Sequence, residues 1–329
     1  MSFPWRSYLA TELRWAGLLF LLSACQEPSP STEKPLLRPS SQRPFFSAES
    51  AYTHIQTQLS FGMRIPGTLS HKAAGDWLVS TFRRYGAQVY EQVGMYRGTP
   101  IRNIIASFGP TEGRRVLLSA HWDSRPYADR DARQPEAPVP GANDGASGVA
   151  ILLEVARLLG QQPPSYPIDV ILWDAEDLGR EGVEDSYCLG SQYWLESPYP
   201  YPPQAYAWGI NLDMVGAKGA TFLQEGYSRQ YAPLLTEAVW QLARQLGYQR
   251  FFLPLAGDPI VDDPFYLSLR GKIPMLNIIH RDPSGKGFFP EWHTTEDDLD
   301  VIDRATLQAV GETLIAFLYA ANPQNFSPV

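Results

Sequence analysis

The chain has 329 residues, of which 44% are hydrophobic and 19% are charged, and its formal net charge is −8 at pH 7. This size suits one large globular domain or two small ones. The acidic balance, together with the lack of a Lys/Arg block interleaved with aromatic residues, argues against nucleic acid as a partner.

The first segment has the pattern of an export signal. Arg6 and Arg14 precede an apolar run over residues 15–25 that is too short to span a bilayer and ends in small residues. Its last four letters, LSAC, resemble the bacterial lipobox, in which the cysteine is acylated. We predict a lipoprotein signal peptide over residues 1–25 and a lipid on Cys25, which would anchor the exported protein to a bacterial membrane, on the periplasmic face or at the cell surface. An ordinary signal peptide is the alternative.

Residues 26–44 are rich in Pro, Ser and charge, a composition that cannot build a core and that predicts an extended, disordered tether. After the tether we expect a single domain over residues 45–322 and a short tail over residues 323–329. Cys188 is the only cysteine besides Cys25. No intramolecular disulfide is expected once Cys25 carries the lipid, and we interpret Cys188 as a buried structural thiol.

From residue 45 onward, helical and strand patterns alternate, and this predicts a three-layer α/β/α sandwich with a mixed, mostly parallel central sheet. Apolar residues at helical spacing predict helices over residues 71–86, 147–160, 232–247 and 304–321. Short apolar runs predict strands over residues 87–93, 102–109, 114–123, 168–174, 206–216 and 272–280.

Acidic and imidazole side chains follow the apolar strands one after another. Ligands bind at the carboxyl ends of the strands in open α/β sheets, and imidazole with carboxylates is the ligand set of catalytic zinc. Each residue alone has a plainer interpretation, such as a helix N-cap or a solvated charge, but together they predict a metal site. The candidates are His121, Asp123, Asp144, Glu176, Asp177, Asp213, Asp262, Asp263 and His293.

Five segments carry a family resemblance: SAHWDS, GANDGASGVAILLEVARLL, DAEDLGREG, NLDMVG and WHTTEDDLD. In order and spacing they resemble the zinc aminopeptidase (M28-type) family, and more closely its single-zinc branch, the bacterial glutaminyl cyclases. The resemblance covers residues 47–322. It implies a zinc exopeptidase-like fold and conversion of the N-terminal Gln of peptides to pyroglutamate with release of ammonia.

The resemblance also implies a role for each matching residue. Asp144, Asp177 and His293 match the zinc ligands of the cyclases. Glu176 matches their acid/base glutamate, and Asp213 matches a carboxylate that assists it.

Further matches concern the surroundings of the site. Asp262 matches an aspartate of the supporting hydrogen-bond network, and Trp292 matches an aromatic residue that lines the substrate pocket. We also expect Asn277 and Phe289 to contact substrate. Other nearby aromatics, Trp122, Trp173 and Phe288, are either pocket or core, and core is favoured for Trp173 because it lies on a strand.

The zinc ligands alone do not separate the two branches. In the aminopeptidase branch, His121 and Asp213 would complete a second zinc site with Asp144 bridging, and Asp123 would support it. The cyclase is favoured by the paired acids Asp262–Asp263, by a Trp directly before His293, and by the residues that follow. We therefore expect one zinc per chain, or two if the protein is an aminopeptidase, and a monomeric catalytic domain.

Two positions depart from the pattern. Asp177 stands where many relatives have Glu, so its carboxylate is one methylene shorter, and Asn277 stands where animal cyclases carry His. The preferred function is cyclisation of peptides with N-terminal Gln. The alternatives are a two-zinc aminopeptidase and, less favoured, a non-catalytic lipoprotein that binds peptides.

Overall fold

The computed structural model describes Leu37 and residues 43–326. The predicted signal peptide, its lipid site Cys25 and most of the predicted tether lie outside these residues. Within the described part of the chain, no helix is long and apolar enough to cross a membrane.

The central sheet has six strands in the order β1-β2-β4-β3-β5-β8. Strand β2 pairs antiparallel with both neighbours, whereas the pairs β4/β3, β3/β5 and β5/β8 are parallel. A second, two-stranded sheet pairs β6 with β7. The strands are β1 (Gln88–Tyr96), β2 (Thr99–Phe108), β3 (Arg115–His121), β4 (Ile168–Trp173), β5 (Tyr206–Asp213), β6 (Phe222–Gln224), β7 (Phe252–Ala256) and β8 (Met275–Ile279).

Helices cover both faces of the six-stranded sheet, which confirms the predicted three layers. Along β4, Val170 and Leu172 pack into the larger core, whereas Ile171 and Trp173 pack into a second core on the other face. Because alternate side chains of a strand point to opposite faces, a strand buried on both faces reads as one continuous apolar run. Trp173 is a core residue, as predicted.

Helices α1, α2, α3, α6 and α8 contribute to the larger core, and α4 and α7 to the second. The four predicted helices correspond to α2, α3, α6 and α8. Helices α1, α4, α5 and α7 were not predicted; the last three span too few turns for a periodic pattern. The helices are α1 (Ala48–Ser60), α2 (Leu69–Arg84), α3 (Ala146–Gln161), α4 (Leu189–Glu196), α5 (Gly226–Tyr231), α6 (Pro233–Gln245), α7 (Asp263–Leu269) and α8 (Arg304–Ala320).

Residues beyond both predicted domain boundaries contact the domain. Past the expected end at residue 322, Pro323–Phe326 forms a 3-10 turn, and the buried ring of Phe326 lies 5.5 Å from that of Phe317. At the other end, Leu37 bridges to Ala321 and Arg43 pairs with Glu312, so parts of the predicted tether contact the domain. Neither segment has a period that the sequence analysis could use, and both are held by contacts with distant residues.

Candidate active site

Polar side chains converge at the carboxyl ends of β3, β4 and β5. His121 is the last residue of β3, Asp213 is the last residue of β5, and Asp177 follows the end of β4. All three are buried. The parallel pairing of these strands brings their ends to one edge of the sheet, as expected from the sequence.

The first group of candidate metal ligands is Asp144, Asp177 and His293. All three are buried, and their ligand atoms lie within 4.8 Å of one another. The Nε2 atom of His293 is 3.4 Å from Oδ1 of Asp177 and 3.8 Å from Oδ2 of Asp144. The short side chain of Asp177 therefore reaches the group.

A second group consists of His121, Asp144 and Asp213. The Nε2 atom of His121 is 3.0 Å from Oδ1 of Asp144 and 3.3 Å from Oδ1 of Asp213. Asp144 thus belongs to both groups and turns one oxygen toward each. The neighbouring Gly145 makes this approach feasible, because a β-carbon there would lie 2.7 Å from Cε1 of His121.

The unpaired atoms of the second group fit a cation. Among the described residues, neither ring nitrogen of His121 nor Oδ1 of Asp213 makes a hydrogen bond, although these atoms are buried. Such atoms are costly to bury without a partner. Burial lowers the pKa of His121, but the surrounding carboxylates of Asp123, Asp144 and Asp213 outweigh it and hold that pKa well above its usual range. A proton or a metal ion would satisfy the same cluster.

Two carboxylates orient the turns that carry the ligands. Asp123 accepts hydrogen bonds from the backbone N–H groups of Glu176 (3.0 Å) and Asp177 (3.1 Å). Asp297 does the same for Asn143 (2.8 Å) and Asp144 (3.1 Å). Asp123 therefore acts as a supporting group. Asp297 was not singled out from the sequence, where it is one of several acids in TEDDLD.

Arg125 and Asp129, which were not predicted, position two ligands of the first group. Nδ1 of His293 lies 3.1 Å from Oδ1 of Asp129, and Arg125 donates two hydrogen bonds of 2.8 Å to that carboxylate. Arg125 also donates to Oδ1 of Asp177 (3.0 Å). Partners of this kind set the orientation of metal-binding imidazoles and carboxylates. His293 itself has φ of 57°, and its ring stacks on Trp292 at 3.8 Å.

Glu176 lies beside these groups and is partly exposed to a cavity. Burial raises its pKa well above the usual range, and the charges of Asp177, Asp262 and Asp263 raise it further. The thiol of Cys188 donates a hydrogen bond of 3.2 Å to Oε1 of Glu176. Cys188 is buried, in agreement with its interpretation as a structural thiol.

Two more carboxyls near Glu176 hold protons more tightly than usual. Burial and the charges of Asp144 and Asp177 raise the pKa of Asp213 to about 6. Burial and the charge of Asp213 raise the pKa of Asp262 to about 7. Buried neighbouring acids of this kind are found where a site exchanges protons near neutral pH.

Asn277 differs from its predicted role. It is buried on β8 outside the cavity, and its amide donates to Oδ2 of Asp262 (2.6 Å), as does that of Asn211 (3.2 Å). The register of β8 against β5 pairs Asn277 with Asn211, and the side chains of both residues donate to Asp262, so Asn277 supports Asp262.

A cavity of about 590 Å³ opens over the site, and Glu176, Asp213, His293, Trp292 and Phe288 are among its lining residues. This volume is within the range of small-molecule pockets. Trp292 lines this cavity, and its contact with substrate stays a prediction.

The other aromatic predictions need correction at one position. Phe289 was expected to contact substrate, but it is buried against Met214 and Ile279, and Phe288 lines the cavity in its place. Residues 288 and 289 lie in an irregular segment, so no periodicity indicated which ring faces inward. Trp122 is core, with its ring stacked 4.0 Å from that of His71.

Known proteins share this fold and these segments. The sequence pattern of peptidase family M28 matches residues 103–318. A Zn-dependent exopeptidase from Parabacteroides distasonis is 47% identical, with a TM-score of 0.81 and coverage of 84% of this chain and 99% of that one. The glutaminyl cyclase of Bacteroides thetaiotaomicron is 43% identical, with a TM-score of 0.80 and the same coverage. Aminopeptidase YwaD of Bacillus subtilis is 29% identical over 65% of this chain, and the match spans only 42% of that relative.

Proposed function

The chain belongs to peptidase family M28, and from this membership we propose that it is a zinc-dependent glutaminyl-peptide cyclotransferase. It would convert the N-terminal Gln of peptides to pyroglutamate and release ammonia. Similarity to a glutaminyl cyclase over nearly that protein's full length supports the choice. The observation that carries it is that three carboxyls, Glu176, Asp213 and Asp262, line one cavity together with the candidate metal ligands Asp144, Asp177 and His293. Burial raises the pKa of each of the three. Such a set suits a reaction that moves a proton from an amine to a leaving group.

Asp144, Asp177 and His293 would hold the zinc ion, since one imidazole and two carboxylates form a donor set that leaves a position for substrate. When bound, zinc would polarise the side-chain carbonyl of the substrate glutamine and stabilise negative charge on its oxygen. Arg125 and Asp129 keep Asp177 and His293 in place.

The reaction forms one bond and breaks one. The α-amino nitrogen of the substrate bonds to the carbonyl carbon of its own side chain, the bond from that carbon to the amide nitrogen breaks, and that nitrogen leaves as ammonia. Glu176 would take the proton that the amine loses and return it to the departing nitrogen. The enzyme needs no nucleophile for this, and the buried Cys188 is unsuited to be one because burial raises the pKa of its thiol well above the usual range.

The remaining residues of the cavity would bind and desolvate the substrate. Asp213 and Asp262 would attract its N-terminal ammonium group. Trp292 and Phe288 would cover the glutamine side chain and keep water away, because water at the metal would favour hydrolysis.

The test is to incubate the purified, zinc-loaded protein with a peptide that begins with Gln, and to measure ammonia together with the matching loss of mass from the peptide. A chromogenic aminopeptidase substrate is run in parallel. We expect cyclisation and no release of the chromophore. Chromophore release without cyclisation would contradict the proposal.

An aminopeptidase is the second candidate, and the group His121, Asp144 and Asp213 favours it because it offers a second metal site. Such an enzyme would use Glu176 to activate water and cleave the first peptide bond. Metal analysis separates the two candidates: we expect one zinc per chain for the cyclase, whereas two would favour the aminopeptidase.

We also propose that the protein is exported and anchored by a lipid on Cys25, and that its catalytic domain acts as a monomer on peptides and proteins with N-terminal Gln. The support for the anchor is the segment LSAC at residues 22–25. Membrane fractionation of the full chain and of Cys25→Ser, with mass spectrometry of the mature N-terminus, tests the anchor. Light scattering of the purified protein tests the oligomeric state.

A further inference from the structure

Two exposed valines line the cavity that contains Glu176. Val183 is 54% exposed and Val261 is 51% exposed. They come from different segments: Val183 from the loop between β4 and α4, and Val261 from the residues that precede α7. An exposed apolar side chain gains free energy when another apolar group covers it.

The backbone around Val183 is held in place. Its N–H donates to the carbonyl of Arg180 (3.0 Å), and its own carbonyl accepts from the hydroxyl of Ser186 (2.8 Å). Two residues further on, the carboxylate of Asp185 accepts two hydrogen bonds from α7. One comes from the hydroxyl of Tyr266 (3.0 Å), and the other from the guanidinium of Arg270, the C-cap of this helix (3.0 Å). The loop is therefore attached to α7.

Val261 is fixed in the same way. The N–H of the preceding Ile260 donates to Glu225 (2.8 Å), and the following Asp262 is the buried N-cap of α7. Since the segments that carry both valines are tied to the same helix, little conformational entropy is lost when a ligand contacts them.

We propose that Val183 and Val261 form a subsite for an apolar side chain at the second residue of the peptide substrate. This inference rests on the proposed function. Glu176 is half-buried and the metal ligands are buried, whereas Val183 and Val261 are exposed and line the same cavity. A peptide whose first residue lies at Glu176 therefore extends from the buried part of the cavity toward the exposed residues. The substrates are then peptides in which Gln is followed by a residue such as Leu or Phe.

The first measurement compares kcat/KM for three peptides that begin Gln-Leu, Gln-Gly and Gln-Lys and are otherwise identical. We expect the leucine peptide to exceed the glycine peptide about fivefold, mainly through KM, as expected for covering about half of a leucine side chain. The lysine peptide tests the exposed Glu184, which lines the same cavity. Equal values for leucine and glycine, or a preference for lysine, would overturn the subsite.

The second measurement uses threonine, which keeps the shape of valine and adds a hydroxyl. In Val183→Thr/Val261→Thr the leucine-to-glycine ratio should fall below about twofold. Val261 directly precedes Asp262, whereas Val183 does not adjoin it in sequence, so Val183→Thr tests the subsite without a change next to Asp262. This single variant should lower the leucine-to-glycine ratio by about half. Val93→Thr is the control: Val93 is 67% exposed on β1, outside the cavity, and its change should leave the ratio as it is. A ratio that survives in the double variant would refute the proposal.

A failure of the proposed function is distinguishable from a failure of the subsite. If no peptide releases ammonia, Kd values for the leucine and glycine peptides are measured by calorimetry on zinc-loaded Glu176→Gln. A retained preference for leucine that the two threonine changes remove would support the subsite and contradict only the cyclase. Equal Kd values would overturn the subsite whatever the reaction.

Discussion

The two ends of β3, β4 and β5 treat buried charge in opposite ways. At the amino end, Arg115 is almost fully buried and donates to both oxygens of Asp169, at 2.6 and 2.7 Å. The hydroxyls of Ser107 (2.6 Å) and Tyr206 (2.8 Å) also donate to that carboxylate. Every oxygen of Asp169 therefore has partners.

At the carboxyl end, two equally buried side chains lack such hydrogen bonds. His121 and Asp213 lie 3.3 Å apart, yet neither Nε2 of His121 nor Oδ1 of Asp213 makes a hydrogen bond in the described part of the chain. The comparison teaches that burial of charge does not by itself mark a functional site. What distinguishes the carboxyl end is that buried polar atoms without hydrogen bonds lie there beside the candidate metal ligands.

The largest expected effect is on stability, at the amino ends of these strands, where Arg115 pairs with Asp169. Arg115→Met should lower the free energy of unfolding by about 3–5 kcal/mol, because it leaves Asp169 buried without its countercharge. Urea unfolding measures this, and the activity per folded molecule should be unchanged. In Arg115→Met/Asp169→Leu most of the loss should be recovered. If Arg115→Met lowered the free energy of unfolding by less than about 1 kcal/mol, the contrast between the two ends of the strands would be contradicted.

At the other end, Glu176→Gln should lower kcat at least ~100-fold if Glu176 moves the proton. The bound metal should be retained, because Glu176 belongs to neither group of metal ligands built around Asp144. Steady-state kinetics and metal analysis of the same preparation check both points. An unchanged rate would refute the assignment.

Zinc should stabilise the protein through the candidate ligands at the carboxyl ends of the strands, and not through Arg115 and Asp169 at the amino ends. Zinc at about 100 times its Kd should raise the free energy of unfolding by about 2.7 kcal/mol, and a chelator should remove that gain. Asp144→Asn should abolish the response, since Asp144 contributes to both groups, whereas Arg115→Met should keep it. A zinc response of full size in Asp144→Asn would contradict the ligand assignment.

The smallest effect concerns Asp213 in the metal-free protein. Its pKa is raised from 3.8 to about 6, so folding binds a proton more tightly and the ionised carboxyl costs stability as pH rises from about 4 to about 6. Asp213→Asn should therefore stabilise the metal-free protein by about 2 kcal/mol above pH 6 and have little effect near pH 3. Unfolding by urea across this range tests the sign. A destabilised variant at pH 7 would show that Asp213 is already satisfied.

The strands of the central sheet and the edge that carries the site were predictable from local sequence. The strand predicted over residues 168–174 is β4, Ile168–Trp173, because a strand covered on both faces is apolar at every position. Acids and histidines directly after such strands could be assigned to one edge of the sheet, because parallel strands share it. That reasoning brought His121, Asp177 and Asp213 together correctly.

The supporting groups could not be predicted. Arg125 and Asp129 lie in an irregular segment without periodicity, and they became recognisable only through their contacts with Asp177 and His293. Asp297 holds Asp144 across 153 residues of sequence. No local signal distinguishes it from the neighbouring acids.

The sequence by itself determined the order of the layers, the position of the site and the chemistry of its ligands, because these depend on local periodicity and on where strands end. Only the tertiary structure decided which buried charges have partners. Arg115 and Asp169 neutralise each other, whereas His121 and Asp213 remain without hydrogen bonds at the other end of the same strands. Pairing depends on distances of a few ångströms between residues far apart in the chain, and packing of the whole domain sets those distances.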